Sequence, residues 1–171
     1  MPSRKQPGAN APNAAASQLQ AEKQLASLIA EFEPKCAELI KDCRGELRGL
    51  LPTAIELVYD NYNFFVIGYC SSERASDCIV SIAAAANGVG LSIYYGAALP
   101  DPAGILEGTG EQNRFIRLPT ADKLRDAEVV KLIHAAAEQG KTRLPTTGVG
   151  HLVIKSVSTK QRPRRRAEIA A

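Results

Sequence analysis

The chain contains little histidine. Its 171 residues include only two histidines, His134 and His151. Covalent catalysis needs a base beside its nucleophile, and histidine is the most common base. His134 falls within a predicted helix one turn before Glu138, a pair that is more often structural than metal-binding, and His151 lies beside a basic tail. The sequence therefore predicts a protein that is not an enzyme.

Long apolar runs are also missing. No apolar run reaches the ~20 residues that a membrane-spanning helix needs. The N-terminus lacks the apolar segment of a signal peptide, because its first residues are rich in Pro, Ala, Asn and Gly. We therefore expect a cytoplasmic protein without a membrane partner.

The four cysteines do not form the pattern of a disulfide framework or a zinc site. Cys36 and Cys43 lie seven residues apart on a predicted helix, which separates their Cα atoms by about 10 Å, too far for a disulfide. Cys70 and Cys78 flank a short loop and could approach each other across a hairpin, but a cytosolic chain keeps such a pair reduced. We expect four free thiols, most of them buried.

Charge is distributed unevenly along the chain. The net charge is +3, yet six basic residues and one acidic residue follow position 150, which gives that part +5 and leaves −2 for the rest. Residues 1–16 offer too few large apolar groups to offset the entropy of ordering, so they predict a disordered N-terminal tail. The sequence predicts one folded domain over residues 17–157 and a disordered basic tail over residues 158–171.

The apolar pattern predicts an α+β fold. Apolar residues recur at helical spacing from Leu25 to Leu50 and predict a long amphipathic helix. Pro34 requires either a kink or two abutting helices, and the continuous phase of the pattern favours a kink. A second helix is expected between Leu124 and Gly140. Strands are predicted at residues 54–60, 64–69, 78–85, 89–95, 114–118 and 151–157.

These elements predict an antiparallel sheet of about five or six strands, flanked by the long N-terminal helix and the C-terminal helix. A hairpin turn is expected at Asn87-Gly88, because this dipeptide tolerates positive φ angles. One face of the sheet would be covered by the helices and the other left more open.

Three segments carry a resemblance to a known family. They are ELVYDNYNFFVIGY at residues 56–69, GAALPDPAGILEGTGEQNRFIRL at residues 96–118 and HLVIKSVSTKQRPRR at residues 151–165. The chain resembles the bacterial YdhG-like domain of unknown function, some of whose members are called frataxin-like iron chaperones. The resemblance spans roughly residues 19–165. It implies a small antiparallel sheet with flanking helices, iron as a candidate cofactor and no catalytic residues.

Glu38 and Asp42 are the candidate iron ligands, because iron ions of this kind prefer oxygen donors. They share a helix face with Glu31. Lys35 and Lys41 lie among these carboxylates, and a solvated face of ion pairs is the alternative interpretation.

The open sheet face is the candidate ligand site. Several tyrosines lie in or beside the strands, and they indicate either a pocket, a base-stacking platform or ordinary core packing. Backbone amides near Gly108-Thr109-Gly110 could also form an anion site with two nearby arginines. From strand alternation, the candidate ligand-binding residues are Glu56, Tyr94, Glu107, Arg114 and Arg117.

The basic tail offers a site of another class. Its candidate nucleic-acid contacts are Lys160, Arg162, Arg164, Arg165 and Arg166. Such a tail binds phosphates weakly and without sequence preference, or it only aids solubility or pairs with carboxylates of the body. The sequence thus predicts a small, non-enzymatic binding module for a small ligand, a metal or a protein partner. An iron chaperone and a weak nucleic-acid binder are the alternatives.

Overall fold

The computed structural model describes residues 11–166, which form three α-helices and six β-strands. The helices are α1 (Ala11–Ile29), α2 (Pro34–Leu50) and α3 (Ala127–Gln139). The strands are β1 (Ile55–Asp60), β2 (Phe65–Cys70), β3 (Cys78–Ala85), β4 (Gly88–Ile93), β5 (Arg114–Arg117) and β6 (Leu152–Val157). Within this range, no helix has both the length and the apolar character that crossing a bilayer requires.

The predicted long helix is two helices. Helix α1 ends at Ile29, and α2 begins at Pro34 as its first residue. Proline lacks the backbone N–H and clashes with a preceding helical turn, whereas it suits the first position of a new helix. The predicted kink is therefore wrong, and the alternative of two abutting helices is confirmed. Residues 11–16, expected in a disordered tail, belong to α1.

The sheet is mixed, with the strand order β5-β4-β3-β2-β1-β6. Strands β1 to β5 pair antiparallel with their neighbours, but β6 runs parallel to β1. After β5 the chain passes through α3 and reaches the opposite edge of the sheet, and a connection of this length permits a parallel pair. The predicted α+β class is confirmed, and the prediction of a purely antiparallel sheet is wrong.

The two sheet faces differ in what they carry. One cross-strand row consists of large, buried residues, namely Val58, Ile67, Ile82, Leu91 and Ile116. This row belongs to the main core together with residues of all three helices, and we call its side the helix-covered face. The adjacent row points to the other side, which we call the open face. Its residues are Leu57, Gly68, Ser81, Ser92 and Phe115.

Residues 158–166, the C-terminal segment, lie against the folded body. The backbone N–H of Ser158 donates to the carbonyl of Asp60 at 2.8 Å, and that of Arg162 donates to the carbonyl of Tyr62 at 2.8 Å. The side chain of Arg164 is buried. The structure thus differs from the expectation of a disordered tail from residue 158 onward. The remaining parts of the two expected tails, residues 1–10 and 167–171, lie outside the described residues.

Candidate functional site

Small residues cover the open face of β3 and β4 and, at Gly68, part of that of β2. Along β3 and β4, large residues on the helix-covered face alternate with glycine, alanine and serine on the open face. The small residues of the two open-face rows are Gly68, Ser81, Ser92, Ala83 and Gly90. A solvated sheet face normally carries longer polar or β-branched side chains. Their absence leaves a depression in the open face.

The depression belongs to a groove with a total volume of about 780 Å³, which we call the open-face groove and which also reaches Leu39, Val89 and Leu118 on the helix-covered side. Its floor contains the small residues of β3 and β4, and aromatic side chains stand around it. Phe64 is 50% exposed and Phe115 is 41% exposed. Volumes of roughly 300–1,000 Å³ are typical of small-molecule sites. The open-face groove therefore has the size and the lining of a ligand site.

Arg117 is the charged residue of the groove lining. Arg117 lies directly opposite Gly90 in the register of β4 and β5. Because glycine has no side chain, the space beside Arg117 stays open. Within residues 11–166, Arg117 takes part in none of the ion pairs. An acidic group of a ligand could bind there without displacing a protein carboxylate.

Tyr94 forms part of the groove wall and keeps its phenol proton. Burial raises the pKa of Tyr94 above its ordinary value of 10.0, and the nearby Cys78 raises it further. Tyr94 therefore contributes a neutral aromatic surface to the groove.

The remaining predicted ligand residues do not line the groove. Glu107 lies at its border, where its backbone exchanges hydrogen bonds of 2.9 and 3.0 Å with Phe115. Arg114 pairs with Ile93, whose side chain belongs to the core of the helix-covered face. Its guanidinium donates to the carbonyls of Asn113, at 2.8 Å, and Gly110. Arg114 and Arg117 thus point to opposite faces, and the expected joint anion site is not formed.

Glu56 lies on the helix-covered face and is only 4% exposed. Its carboxylate accepts hydrogen bonds from Arg44 at 2.9 and 2.8 Å and from the hydroxyl of Tyr69 at 3.0 Å. Arg48 Nε lies 3.9 Å from the same carboxylate, so Glu56 binds side chains of α2 and β2 and has a structural role. Strand alternation predicts which residues share a face, but it does not predict which face the helices cover.

The candidate iron ligands are exposed and do not form a cluster. Glu38 accepts a hydrogen bond from Lys41 at 3.0 Å, and Asp42 lies on the exposed surface of α2. In the described part of the chain, no group of three or more His, Cys, Asp or Glu side chains could hold a metal ion. Iron binding stays a prediction that rests on the family resemblance.

The basic residues of the C-terminal segment are partly engaged with the protein itself. Arg164 donates to the carboxylate of Asp60 at 2.7 Å, and Arg165 donates to the carbonyls of Glu31, at 3.2 Å, and Ala30, at 3.3 Å. Arg162 lies over the ring of Tyr62, and Lys160 and Arg166 are exposed. The buried Arg164 cannot contact a phosphate while the protein is folded, so the predicted set of five basic contacts loses at least one member.

Sequence reasoning placed the candidate ligand site on the open face but missed the small residues of the groove floor, although a signal for them was present. Every second residue from Ser81 to Ala85 and from Gly88 to Ser92 is small, while the residues between them are mostly large and apolar. A strand in which the outward positions are small rather than charged predicts a close approach by another group.

Comparisons with protein-family models, with curated proteins and with solved structures find no match for this chain. The resemblance to the YdhG-like family therefore stays a prediction.

Proposed function

We propose that the protein is a cytoplasmic, non-enzymatic binding module whose open-face groove receives a small ligand with a flat, mainly apolar body and one acidic group. The observation that carries this proposal is the groove of about 780 Å³ between aromatic side chains. The small floor allows a ring to approach the sheet backbone closely, and aromatic walls favour stacked or edge-to-face contacts with it. Arg117 at the same groove supplies a partner for the acidic group.

Two fluorescent probes test the ligand chemistry. Anilinonaphthalene sulfonate and N-phenylnaphthylamine share an apolar aromatic body, but only the first carries a sulfonate. We expect both to bind saturably, with the sulfonate probe binding more tightly. Arg117→Ala should remove that advantage and leave the neutral probe unaffected. Arg114→Ala, a neighbouring arginine on the other face, is the matched control and should change neither affinity.

Filling the floor tests the groove itself. A Cβ atom at Gly90 meets only the carbonyl oxygen of Ile116, at 3.5 Å, which is ordinary contact, so Gly90→Val is compatible with the backbone. The variant should weaken both probes by at least about tenfold, equivalent to roughly 1.4 kcal/mol. Gly49→Ala, on the exposed surface of α2, is the control for a glycine replacement. Probe binding that is equally tight in Gly90→Val would show that the groove is not the site.

A further inference from the structure

A β-bulge brings two cysteines together on the open face. Cys70 on β2 lies directly opposite Cys78 on β3. The register shifts next to this pair, so Ile79 is an extra residue of β3 that has no partner on β2. Regular alternation from Val80, which faces the helices, would turn Cys78 to the helix-covered face as well. The bulge instead turns Cys78 to the open face, where it packs in one cluster with Cys70.

Gly68 provides the space that the two sulfur atoms share. A Cβ atom at this position would lie 2.9 Å from Sγ of Cys78 and 3.5 Å from Sγ of Cys70. Both thiols are free, and that of Cys78 donates to the carbonyl of Val80 at 3.4 Å. Directly opposed residues of antiparallel strands have Cα atoms about 4.5–5.5 Å apart. This separation falls within the range of roughly 4.4–6.8 Å that a disulfide spans.

The surroundings make the two thiols unequal. The Cys70 side chain lowers the pKa of Cys78 below its ordinary value of 9.0, against the effect of burial, and Tyr94 lowers it further. The Cys78 side chain and burial raise the pKa of Cys70. Because the thiolate is the reactive form, these shifts favour Cys78 as the nucleophile of the pair.

Cys78 is the more exposed residue of the pair. This residue is 7% exposed, and it lines a crevice of about 460 Å³ together with Arg74 on one side and Lys141, which follows α3, on the other. Cys70 is only 1% exposed and does not line the crevice.

We propose that Cys70 and Cys78 form an oxidation site that hydrogen peroxide or a similarly small hydroperoxide converts into a disulfide. The Cys78 thiolate attacks one peroxide oxygen, the O–O bond breaks, and a sulfenic acid forms while the leaving hydroxide takes up a proton to become water. The sulfur of Cys70 then attacks the sulfur of Cys78. The S–O bond breaks, and the oxygen leaves with the Cys70 proton as a second water. Two thiols lose two electrons and two protons, and one peroxide is reduced to two waters.

Mass spectrometry of the full chain after peroxide treatment tests the site. We expect the intact mass to decrease by two hydrogen atoms and to return after treatment with dithiothreitol. Trypsin cleaves after Arg74, between the two cysteines. The disulfide should therefore hold the tryptic peptides 49–74 and 75–114 together until it is reduced. A disulfide between any other pair, or oxidation of wild-type Cys78 to a sulfinic acid without a disulfide, would overturn the proposal.

Single variants test the order of the two steps. In Cys70→Ser the sulfenic acid of Cys78 persists, so dimedone should label this variant; it should not label Cys78→Ser. Cys36→Ser, a half-buried cysteine of α2, is the control and should form the disulfide as wild type does. Circular dichroism checks that each variant is folded. Equal labelling of Cys70→Ser and Cys78→Ser would contradict the assignment of Cys78 as the first sulfur to react.

Gly68→Ala gives an independent readout that leaves both thiols in place. Its methyl group would occupy the space between the two sulfurs, at 2.9 Å from that of Cys78. We expect the disulfide to form more slowly in this variant than in wild type at the same peroxide concentration. An unchanged rate in a folded Gly68→Ala protein would show that the two sulfurs do not meet above Gly68.

Discussion

Arg44 connects three elements through one side chain. From α2 it donates to the two carboxylate oxygens of Glu56 on β1, and to both oxygens of Glu22 on α1 at 2.9 and 2.7 Å. Glu56 is buried and Arg44 is mostly buried, so each compensates the desolvation of the other. The hydroxyl of Tyr69 completes the set, and burial raises its pKa well above 10.0. Through these contacts, Arg44 holds α1, α2 and the sheet together.

The contact between Arg44 and Glu22 makes stability depend on pH. The hydrogen bond from Arg44 lowers the pKa of Glu22 below its ordinary value of 4.5. A carboxyl group whose folded-state pKa is depressed contributes stability above its unfolded pKa and loses that contribution as the pH falls through its folded pKa. We therefore expect the free energy of unfolding of wild type to exceed that of Glu22→Gln at neutral pH, and the difference to shrink as the pH falls below 4.5.

Urea denaturation of both proteins at a series of pH values measures this difference. Arg44→Gln is the companion variant, because it leaves the buried Glu56 without its cation and should be less stable than Glu22→Gln at neutral pH. A gap between wild type and Glu22→Gln that stays constant down to about pH 3 would contradict the assignment to Glu22.

Single residues also show how far the sequence could be interpreted. The alternation of β4 correctly predicts that Val89, Leu91 and Ile93 share a face, and these residues are buried in the core. The same reasoning assigned Glu56 to the ligand site, although it lies beneath α2. Its burial depends on Arg44, twelve residues earlier in the chain, and no local pattern reveals that pair.

At the scale of elements, α1 binds the edge of the sheet through Gln18. The side-chain amide of Gln18 donates to the carbonyl of Leu152 at 2.9 Å and accepts from its backbone N–H at 2.9 Å. These are the two hydrogen bonds that a neighbouring strand would supply to β6. The side chain of Gln18 thus satisfies backbone groups of the edge strand that would otherwise be free to pair with another strand.

Gln18→Ala should destabilise the protein by about 1–3 kcal/mol, because both backbone groups of the buried Leu152 lose their partner. Chemical denaturation gives the value. Gln20→Ala, an exposed residue of the same helix, is the control and should change stability by less than about 0.5 kcal/mol. Equal stability of the two variants would show that water replaces the Gln18 amide without loss.

The sequence predicted the boundaries of the strands better than it predicted whether neighbouring strands run parallel or antiparallel. The predicted strand at residues 78–85 matches β3, but the turn that joins β3 to β4 consists of Ala86 and Asn87, one residue earlier than predicted, and Gly88, at a φ of 139°, is the first residue of β4. Alternation and turn residues are local signals, so they appear in the sequence. The parallel pairing of β6 with β1 depends instead on the route of the chain around the sheet, which local signals do not specify.

At the scale of the whole molecule, the C-terminal segment joins the sheet to the helical layer. Arg164 donates to Asp60 at the end of β1 and to the carbonyls of Asn61, at 2.6 Å, and Asn63, at 3.2 Å. Its guanidinium also lies 5.8 Å from the ring centre of Phe32, between α1 and α2. The last described residues thus contact some of the first elements of the fold.

Arg164→Ala should lower the free energy of unfolding by about 3–5 kcal/mol, because it leaves the carboxylate of Asp60 buried without its cation. Thermal or urea denaturation gives the change. Arg166→Ala removes the same charge from an exposed position of the same segment and should have little effect. Similar stability of the two variants would mean that the C-terminal segment lies on the body without contributing to its stability.

Both edge strands of the sheet have backbone groups that are already hydrogen-bonded, and this affects the behaviour of the protein in concentrated solution. Gln18 occupies the backbone groups of Leu152 on one edge strand, and the backbone of Glu107 occupies those of Phe115 on the other. A strand from a second chain would have to displace one of these partners before it could extend the sheet in register. Unprotected edge strands are the usual starting points of fibre growth. Here each edge strand has a residue whose backbone groups already have a hydrogen-bond partner. Crowding should therefore favour separate folded molecules over open-ended stacks of sheets.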